Sequence, residues 1–452
     1  MKNNTVKKGQ STFLDPNEVE KISTSILDIA KSMGASSTEV SVSFDKGLNI
    51  ASRLGDVETI EFNQDKSVAL TVYFGQRRGS ATSSDTSYAS LKQLVSRACD
   101  IAKVSDPDPC FGLAETPLIA TNFPDLALHF DWDINVPDAI DLAKECELLA
   151  LNADKRIVNS DGCNVATYQS LCAYANSNGF YHHFNASRHS KSCVLLAKDS
   201  DGLKRDYDYT IARDPKHLLN NKALADSAVE KTLSRLNAQK LSTRTCPVIF
   251  SNNVSSSLLA AFISGISGGN IYRRSSFLLD KIGQKIFPSA YSIYESPYEV
   301  GALGSAAYDS EGVQTRENRF VDSGILNHYA LGCYSARRLK LETTANSGGV
   351  HNLAISHDDM SLTTLLNEMG TGLLVTSLMG SSVNMITGDY SRGASGFWVE
   401  NGEIQYAVEE ITIASNLLDM FSSIQRIGND IDSRKSTKCG SILIPSMTIA
   451  GK

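Results

Sequence analysis

The chain has 452 residues, of which 42% are hydrophobic and 21% charged. This is an ordinary globular composition, with length enough for two or three domains. Its 43 Lys and Arg against 50 Asp and Glu give a net charge of −7, which argues against a protein built to hold nucleic acid through phosphate contacts. No run of 18 apolar residues exists, so no membrane-spanning helix is expected; Leu258 to Ile266 is the best stretch, and it is short and interrupted by Ser264 and Gly265.

The opening MKNNTVKKGQ is basic and polar with no apolar region after it, which predicts disorder over residues 1–15 and no secretory signal. Asp15-Pro16 then caps and starts a helix, with Val19, Ile22, Ile26, Ile29 and Ala30 at helical spacing and Gly34 ending it. Four short strands follow at Val40–Phe44, Leu48–Ala51, Val57–Phe62 and Val68–Phe74, separated near Gly47, Gly55 and Asp65, as an antiparallel meander. A helix over Leu91–Val104 closes at Asp106-Pro107-Asp108-Pro109. An irregular crossing from Phe111 to Trp132 leads to a helix from Pro137.

Alternating segments from Ile157 to about Ala197 read as strands, and Asp214–Leu236 reads as helix. Asn237–Cys246 is the expected boundary, dividing an N-terminal domain, 16–240, from a C-terminal β-rich domain, 241–452. The second half opens with the strand Pro247–Phe250 and the helix Val254–Ile263. Past Tyr291 it continues as short strands and glycine turns, with a helix near Leu362–Met369. The class is therefore α+β, with an N-terminal helix plus antiparallel meander and a β-rich second half.

Nine cysteines, an odd number with no CxxC, argue against a disulfide framework or a zinc ribbon and predict reduced, buried thiols in a cytoplasmic protein. No His is followed by Glu, so the helical His pair with an adjacent Glu base of a zinc hydrolase is missing. His183 and His189 share a face if Tyr181–Lys191 is one strand, but no nearby carboxylate completes a metal site. Gly265-Ile266-Ser267-Gly268-Gly269 matches GxSxG, yet a helix precedes it where a nucleophile elbow needs a strand. The same glycines, near Arg273 and Arg274, suit an anion cradle as a weaker alternative.

A third stretch, Thr387–Ile404, places glycine turns around a strand, with Asn401-Gly402 as a hairpin signal. It is either a core hairpin with an Asp389–Arg392 turn contact, or a cleft whose backbone accepts an extended peptide at Gly388, Asp389, Tyr390, Ser391, Arg392, Gly393 and Gly396.

The stretch TGDYSRGASGFWVENGEIQY, residues 387–406, closely resembles the signature of the PmbA/TldE branch of the TldD/PmbA metallopeptidase family. Further matching blocks are Asp106–Cys110, Asp309–Val313, Ser335–Arg337, Glu368–Gly372 and Cys439–Ile442, so the resemblance covers residues 17 to 452. It implies the TldD/PmbA two-domain fold, a cytoplasmic location, and pairing with a TldD-type sibling into a heterodimeric metallopeptidase for unfolded or short peptides. The sibling branch carries HExxxH and the zinc. Placed by hand, those positions fall here on Leu259-Ala260-Ala261-Phe262-Ile263-Ser264, which implies no catalytic residue, metal ligand or cofactor in this chain. The family is also called a modulator of DNA gyrase, but the charge gives no support for nucleic acid as a partner, and no membrane is implied. A peptide-binding or adaptor protein without peptidase role is the alternative, and a hydrolase using Ser267 a third.

Overall fold

The computed structural model describes residues 13–380 and 382–451. Most of the expected disordered N-terminus, residues 1–12, lies outside the described residues. Helix α1 (Pro16–Ser32) begins as its sequence predicts, with the Asp15 carboxylate accepting the Asn17 N–H at 3.0 Å and Pro16 in the first turn. Strands β1 (Ser37–Arg53), β2 (Asp56–Phe74) and β3 (Arg77–Ser83) follow, then α2 (Tyr88–Val104), α3 (Val136–Leu151), β4 (Ile157–Asn176), β5 (Tyr181–Asp199), β6 (Gly202–Ala212) and α4 (Asn221–Ser234). The strands form one antiparallel sheet in the order β3-β2-β1-β4-β5-β6.

Two expectations change here. The four short strands are two long ones, because Gly47 and Asp65 do not break them. Gly47 is a buried strand position where a Cβ would lie 2.6 Å from the Tyr168 ring, so it makes room across the sheet, and Asp65 pairs in register with Asp45. The turn falls at Leu54-Gly55, both at positive φ, and their N–H groups donate to the buried Glu147 carboxylate. The edge strands β3 and β6 lie beyond the expected segments: RRGSATS has no apolar alternation, and in GLKRDYDYTIA charged residues interrupt the apolar positions. Helices α1 and α2 bury Val19, Ile26, Leu91 and Val95 against β1, β2 and β4, while α3 and α4 cover β4 and β5.

After this sheet come β7 (Arg244–Phe250), α5 (Asn252–Ile266), α6 (Gly268–Tyr272), β8 (Ile293–Glu295), β9 (Asn318–Asp322), β10 (Ile325–Leu326), α7 (Cys333–Leu339) and β11 (Leu353–Ile355). Next are α8 (Leu362–Met369), β12 (Gly372–Met379), β13 (Asp389–Glu400), β14 (Glu403–Asn416), α9 (Leu417–Ser422), β15 (Arg426–Ile427), β16 (Thr437–Lys438) and β17 (Ile442–Ala450). A small sheet runs β10-β9-β8-β11-β16 and a larger one β14-β13-β12-β7-β17-β15. In the larger sheet β7 and β12 are parallel, and β14 returns to pair with β17 over Thr412–Ala414. Helix α5 sits between the two, with Leu258, Leu259, Phe262 and Ile266 in the largest apolar core. Helix α8 covers the other face of the larger sheet. The architecture is the expected α+β. Among the described residues no helix is long and apolar enough to cross a membrane.

Candidate functional site

A cavity of about 360 Å³ opens where the edge of the first sheet meets the larger C-terminal sheet. One wall is Asp206–Tyr209 of β6 with Lys231 of α4 and Arg235 just past its end. The facing wall is Thr376–Leu378 of β12 with Arg392 and Gly396 of β13, and Asn253, Val254 and Ser257 of α5 close it together with Lys435. Helix α5 starts here because the Ser441 hydroxyl accepts the Asn252 N–H at 3.1 Å and is itself held by Asp430.

Charge in the cavity is mostly paired. The Asp208 side chain, 5% exposed, accepts from Lys231 at 2.8 Å and from Arg434 at 3.0 Å. Burial pushes its carboxyl up, but hydrogen bonds from Lys231 and Ser227 and the Lys231 charge outweigh this and hold it below the ordinary value. Arg235 pairs with Asp206 and donates to Ser395 at 2.6 Å, and Lys204 pairs with Glu409. These contacts tie the first sheet and its helices to the larger C-terminal sheet on either side of the opening. Arg392 is different: its Nε is buried without a hydrogen-bond partner, and it makes no ion pair among the described residues.

The edge of β6 does not offer its backbone to a ligand at this point. The N–H groups of Tyr207 and Tyr209 donate to the Asp206 and Asp208 side chains at 2.8 and 2.9 Å, which blunts the edge. Of the residues around the cavity, only Arg392 and Gly396 were candidates from the sequence; the two facing walls come from stretches well over 100 residues apart.

The Gly388–Gly396 segment needs correction as a backbone cleft. Strand β13 is paired with β14 from Asp389 to Glu400 and with β12 from Gly393 to Val399, so the backbone of Gly393 and Gly396 is enclosed by neighbours on both sides. Only Gly388 has positive φ, at 82°. Asp389 does not contact Arg392; it accepts from the Thr387 hydroxyl at 2.6 Å and from Asn416 at 3.3 Å. Tyr390 is buried in the core and Ser391 is exposed. What the segment brings to the cavity is Arg392 and Gly396.

The other sequence candidates resolve separately. Ser267 sits between α5 and α6, donates to the Ser264 carbonyl at 2.9 Å, and has no imidazole bonded to it among the described residues. A Cβ at Gly268 would lie 2.2 Å from the Ser335 hydroxyl, and the Gly268 N–H donates to the Ala330 carbonyl, so this glycine serves packing rather than an anion. His189 is fully buried, with Nδ1 2.8 Å from the Thr167 hydroxyl and Nε2 2.9 Å from the Phe130 carbonyl oxygen. Of the six positions Leu259–Ser264 none lines the cavity, although Val254 and Ser257 of the same helix do. Leu259 lies in the apolar core and Ala260 is exposed.

Three of the blocks that carry the resemblance meet at a second place. Arg337 of α7 donates to the carbonyls of Cys110 and Gly112 and to Glu115, while Tyr334 donates to Asp108 at 2.8 Å. Beside them Asp309 accepts the N–H groups of Glu311, Val313 and Ser347 at 2.9 to 3.0 Å. Burial pushes its carboxyl up to about 7, and the Glu311 charge adds to the rise. The folded chain thus holds this proton to higher pH than the unfolded chain, whose Asp titrates near 3.8. The stability that this group contributes is fully present below about 4 and is lost as pH rises towards about 7. Replacing Asp309 by Asn is expected to flatten the pH dependence of the denaturant midpoint over that window. Parallel curves for the two proteins would refute the assignment.

Comparison with known proteins identifies the class. Residues 38–102 match PmbA/TldA metallopeptidase domain 1, residues 131–236 its central domain and residues 243–451 its C-terminal domain. The chain therefore belongs to the PmbA/TldA metallopeptidase family. It is 44% identical to Metalloprotease PmbA of Escherichia coli O157:H7 over 434 residues, 96% of each chain. It is also 44% identical to the Metalloprotease PmbA homolog of Haemophilus influenzae over 426 residues, 94% of each. Among solved structures it resembles a candidate modulator of DNA gyrase from Bacteroides thetaiotaomicron, with a TM-score of 0.91 and 25% identity over 96% of this chain and 99% of that one. TldE from Thermococcus kodakarensis shares the fold, with a TM-score of 0.79 and 19% identity over 95% of this chain and all of that one.

Proposed function

We propose that this chain is the metal-free subunit of a cytoplasmic heterodimeric metallopeptidase. Its TldD-type sibling carries HExxxH and the zinc, and the complex acts on unfolded or extended peptides. The observation that carries this reading is helix α5. It borders a charged cavity in a chain that is 44% identical to proteins named metalloproteases, and in our placement of HExxxH on this helix Leu259, Ala260 and Ser264 take the ligand and base positions. Two aliphatic side chains and one hydroxyl do not fit a zinc ion, which takes imidazole, thiolate or carboxylate donors. No step of the hydrolysis is therefore assigned to residues of this chain.

Its part is to close the cleft and to hold substrate. Arg392, whose buried Nε has no hydrogen-bond partner among the described residues, offers a cation for a backbone carbonyl or an acidic group. Substrate held between two subunits reaches the sibling's metal only as an extended strand, which spares folded proteins. Neither nucleic acid nor a membrane has a part in this reading.

The test is reconstitution. The chain alone is expected to leave an unfolded peptide uncut, and addition of the HExxxH sibling to give cleavage together with a stable complex. In that complex Ser267→Ala is expected to keep the rate within a few-fold, whereas loss of a true nucleophile costs about a million-fold. Cleavage by the chain alone, or a sibling that neither binds it nor gains activity from it, would overturn the reading; the second result would favour an adaptor role.

A further inference from the structure

Away from the cleft, three cysteines far apart in sequence converge in one apolar core. Cys146 of α3, Cys163 of β4 and Cys193 of β5 are all at most 3% exposed, and their sulfurs lie within 4.8 Å of one another. Cys163 and Cys193 are direct partners in the β4–β5 register, so their side chains leave the sheet on the same face. Helix α3 lays Cys146 over them. Ala150, Leu195, Leu224 and Ala228 wall the triad off from water. All three are free thiols.

We propose that Cys146, Cys163 and Cys193 form a three-sulfur site for a soft, thiophilic cation of the Cu(I) type. The donor set selects the ion. Among the described residues no His, Asp or Glu joins the three sulfurs. The nearest carboxylates are turned elsewhere, Glu147 to the Leu54 and Gly55 N–H groups and Glu145 to the Asn221 amide. A closed structural zinc site needs four donors, whereas thiolates alone in a dry pocket suit Cu(I).

The charge also closes. Lys191 lies two residues before Cys193 on the same face, 7% exposed, with its ammonium on the Asn221 side-chain oxygen at 2.9 Å. When the ion binds, two thiols release their protons to solvent and the third stays a neutral thiol donor. One monovalent cation and two thiolates leave a single negative charge, which the Lys191 ammonium balances. Copper enters and remains as Cu(I), so no electron is transferred.

The test is anaerobic titration of the reduced full chain with Cu(I) supplied as its acetonitrile complex, followed by gel filtration and elemental analysis. About one copper per chain is expected, with thiolate-to-copper absorption in the ultraviolet and a raised melting temperature. Cys146→Ala and Cys146→Ser are expected to lose all three signals while melting like the unloaded parent. Cys110→Ala, at a remote half-buried thiol, is expected to keep them. If Cys146 variants fail to fold, Cys193→Ala is read by the same three signals. Absence of retained copper in the parent, retention unchanged in the Cys146 and Cys193 variants, or a Cys163–Cys193 disulfide in the protein as purified would each overturn the site. Displacement of the copper by equimolar zinc would overturn the choice of ion.

Discussion

Replacing Asp208 by Asn is expected to destabilise the protein by about 3–5 kcal/mol, the range for breaking a buried ion pair from one side. The carboxylate has four partners: Lys231, Arg434, the Ser227 hydroxyl and its neighbour's N–H at Tyr209. Asn keeps the shape and one acceptor but strands two cations that are partly withdrawn from solvent. Arg434 has Asp432 as a second partner at 2.8 Å, so Lys231 is the more exposed to the loss. Because Asp208 is held below the ordinary carboxylate value, its stabilisation is present above the unfolded value near 4 and is lost as pH falls through the lower folded one. The variant should therefore differ most from the parent at neutral pH, and the two should converge in acid. Denaturant titrations at pH 7 and pH 3 check this, and equal midpoints at pH 7 would show that the network contributes nothing. Since Asp208 also walls the cavity, the reconstituted peptidase should weaken in parallel.

Gly396→Val should be at least as damaging, for a reason unrelated to charge. A Cβ at Gly396 would lie 1.8 Å from the Leu374 carbonyl oxygen and 2.9 Å from the Val375 Cα, backbone atoms of the adjacent strand that cannot swing aside. Both strands change register there, with β13 shifting at Ala394/Gly396 and β12 at Val375/Ser377. Relief requires β12 and β13 to part in the centre of the larger sheet, which places the cost beyond about 4 kcal/mol, in the range of severe backbone lesions. Gly393 supplies the control. Its Cβ would meet Met379 at 3.4 Å, an ordinary contact, so Gly393→Ala should change stability by less than about 1 kcal/mol and leave heterodimer and cleavage intact. Thermal melts of the two variants decide the matter. A Gly396→Val protein that melts normally and loses only cleavage would restore this segment as a substrate surface.

The metallopeptidase resemblance was legible because it lies in ordered blocks of residues, and the structure gives those blocks a reason. Arg337 reaches from α7 to the carbonyls after Asp108-Pro109, and Asp309 gathers two N–H groups of its own turn and that of Ser347. The cavity was not legible in this way. The hairpin signal at Asn401-Gly402 marked a real turn between β13 and β14, but nothing in it announced that Arg392 would face Asp206 to Tyr209. The three cysteines show the same limit. Spacings of 17 and 30 residues match no metal motif, and only the β4–β5 register and the seat of α3 bring the sulfurs together.

By itself the sequence determined the elements whose signals lie within a few residues: α1 through Asp15, Pro16 and its apolar spacing, the short strand at Pro247–Phe250, and α8 at Leu362–Met369. It also determined the α+β class and the family. The tertiary structure alone decided that Gly47 and Asp65 continue strands, that polar β3 and β6 are edges, that Gly393 and Gly396 lie inside a sheet, and which charges face the cavity. Caps, turns and periodicity act over one or two turns of chain, whereas strand neighbours and facing walls are chosen by pairing and burial between segments tens to hundreds of residues apart.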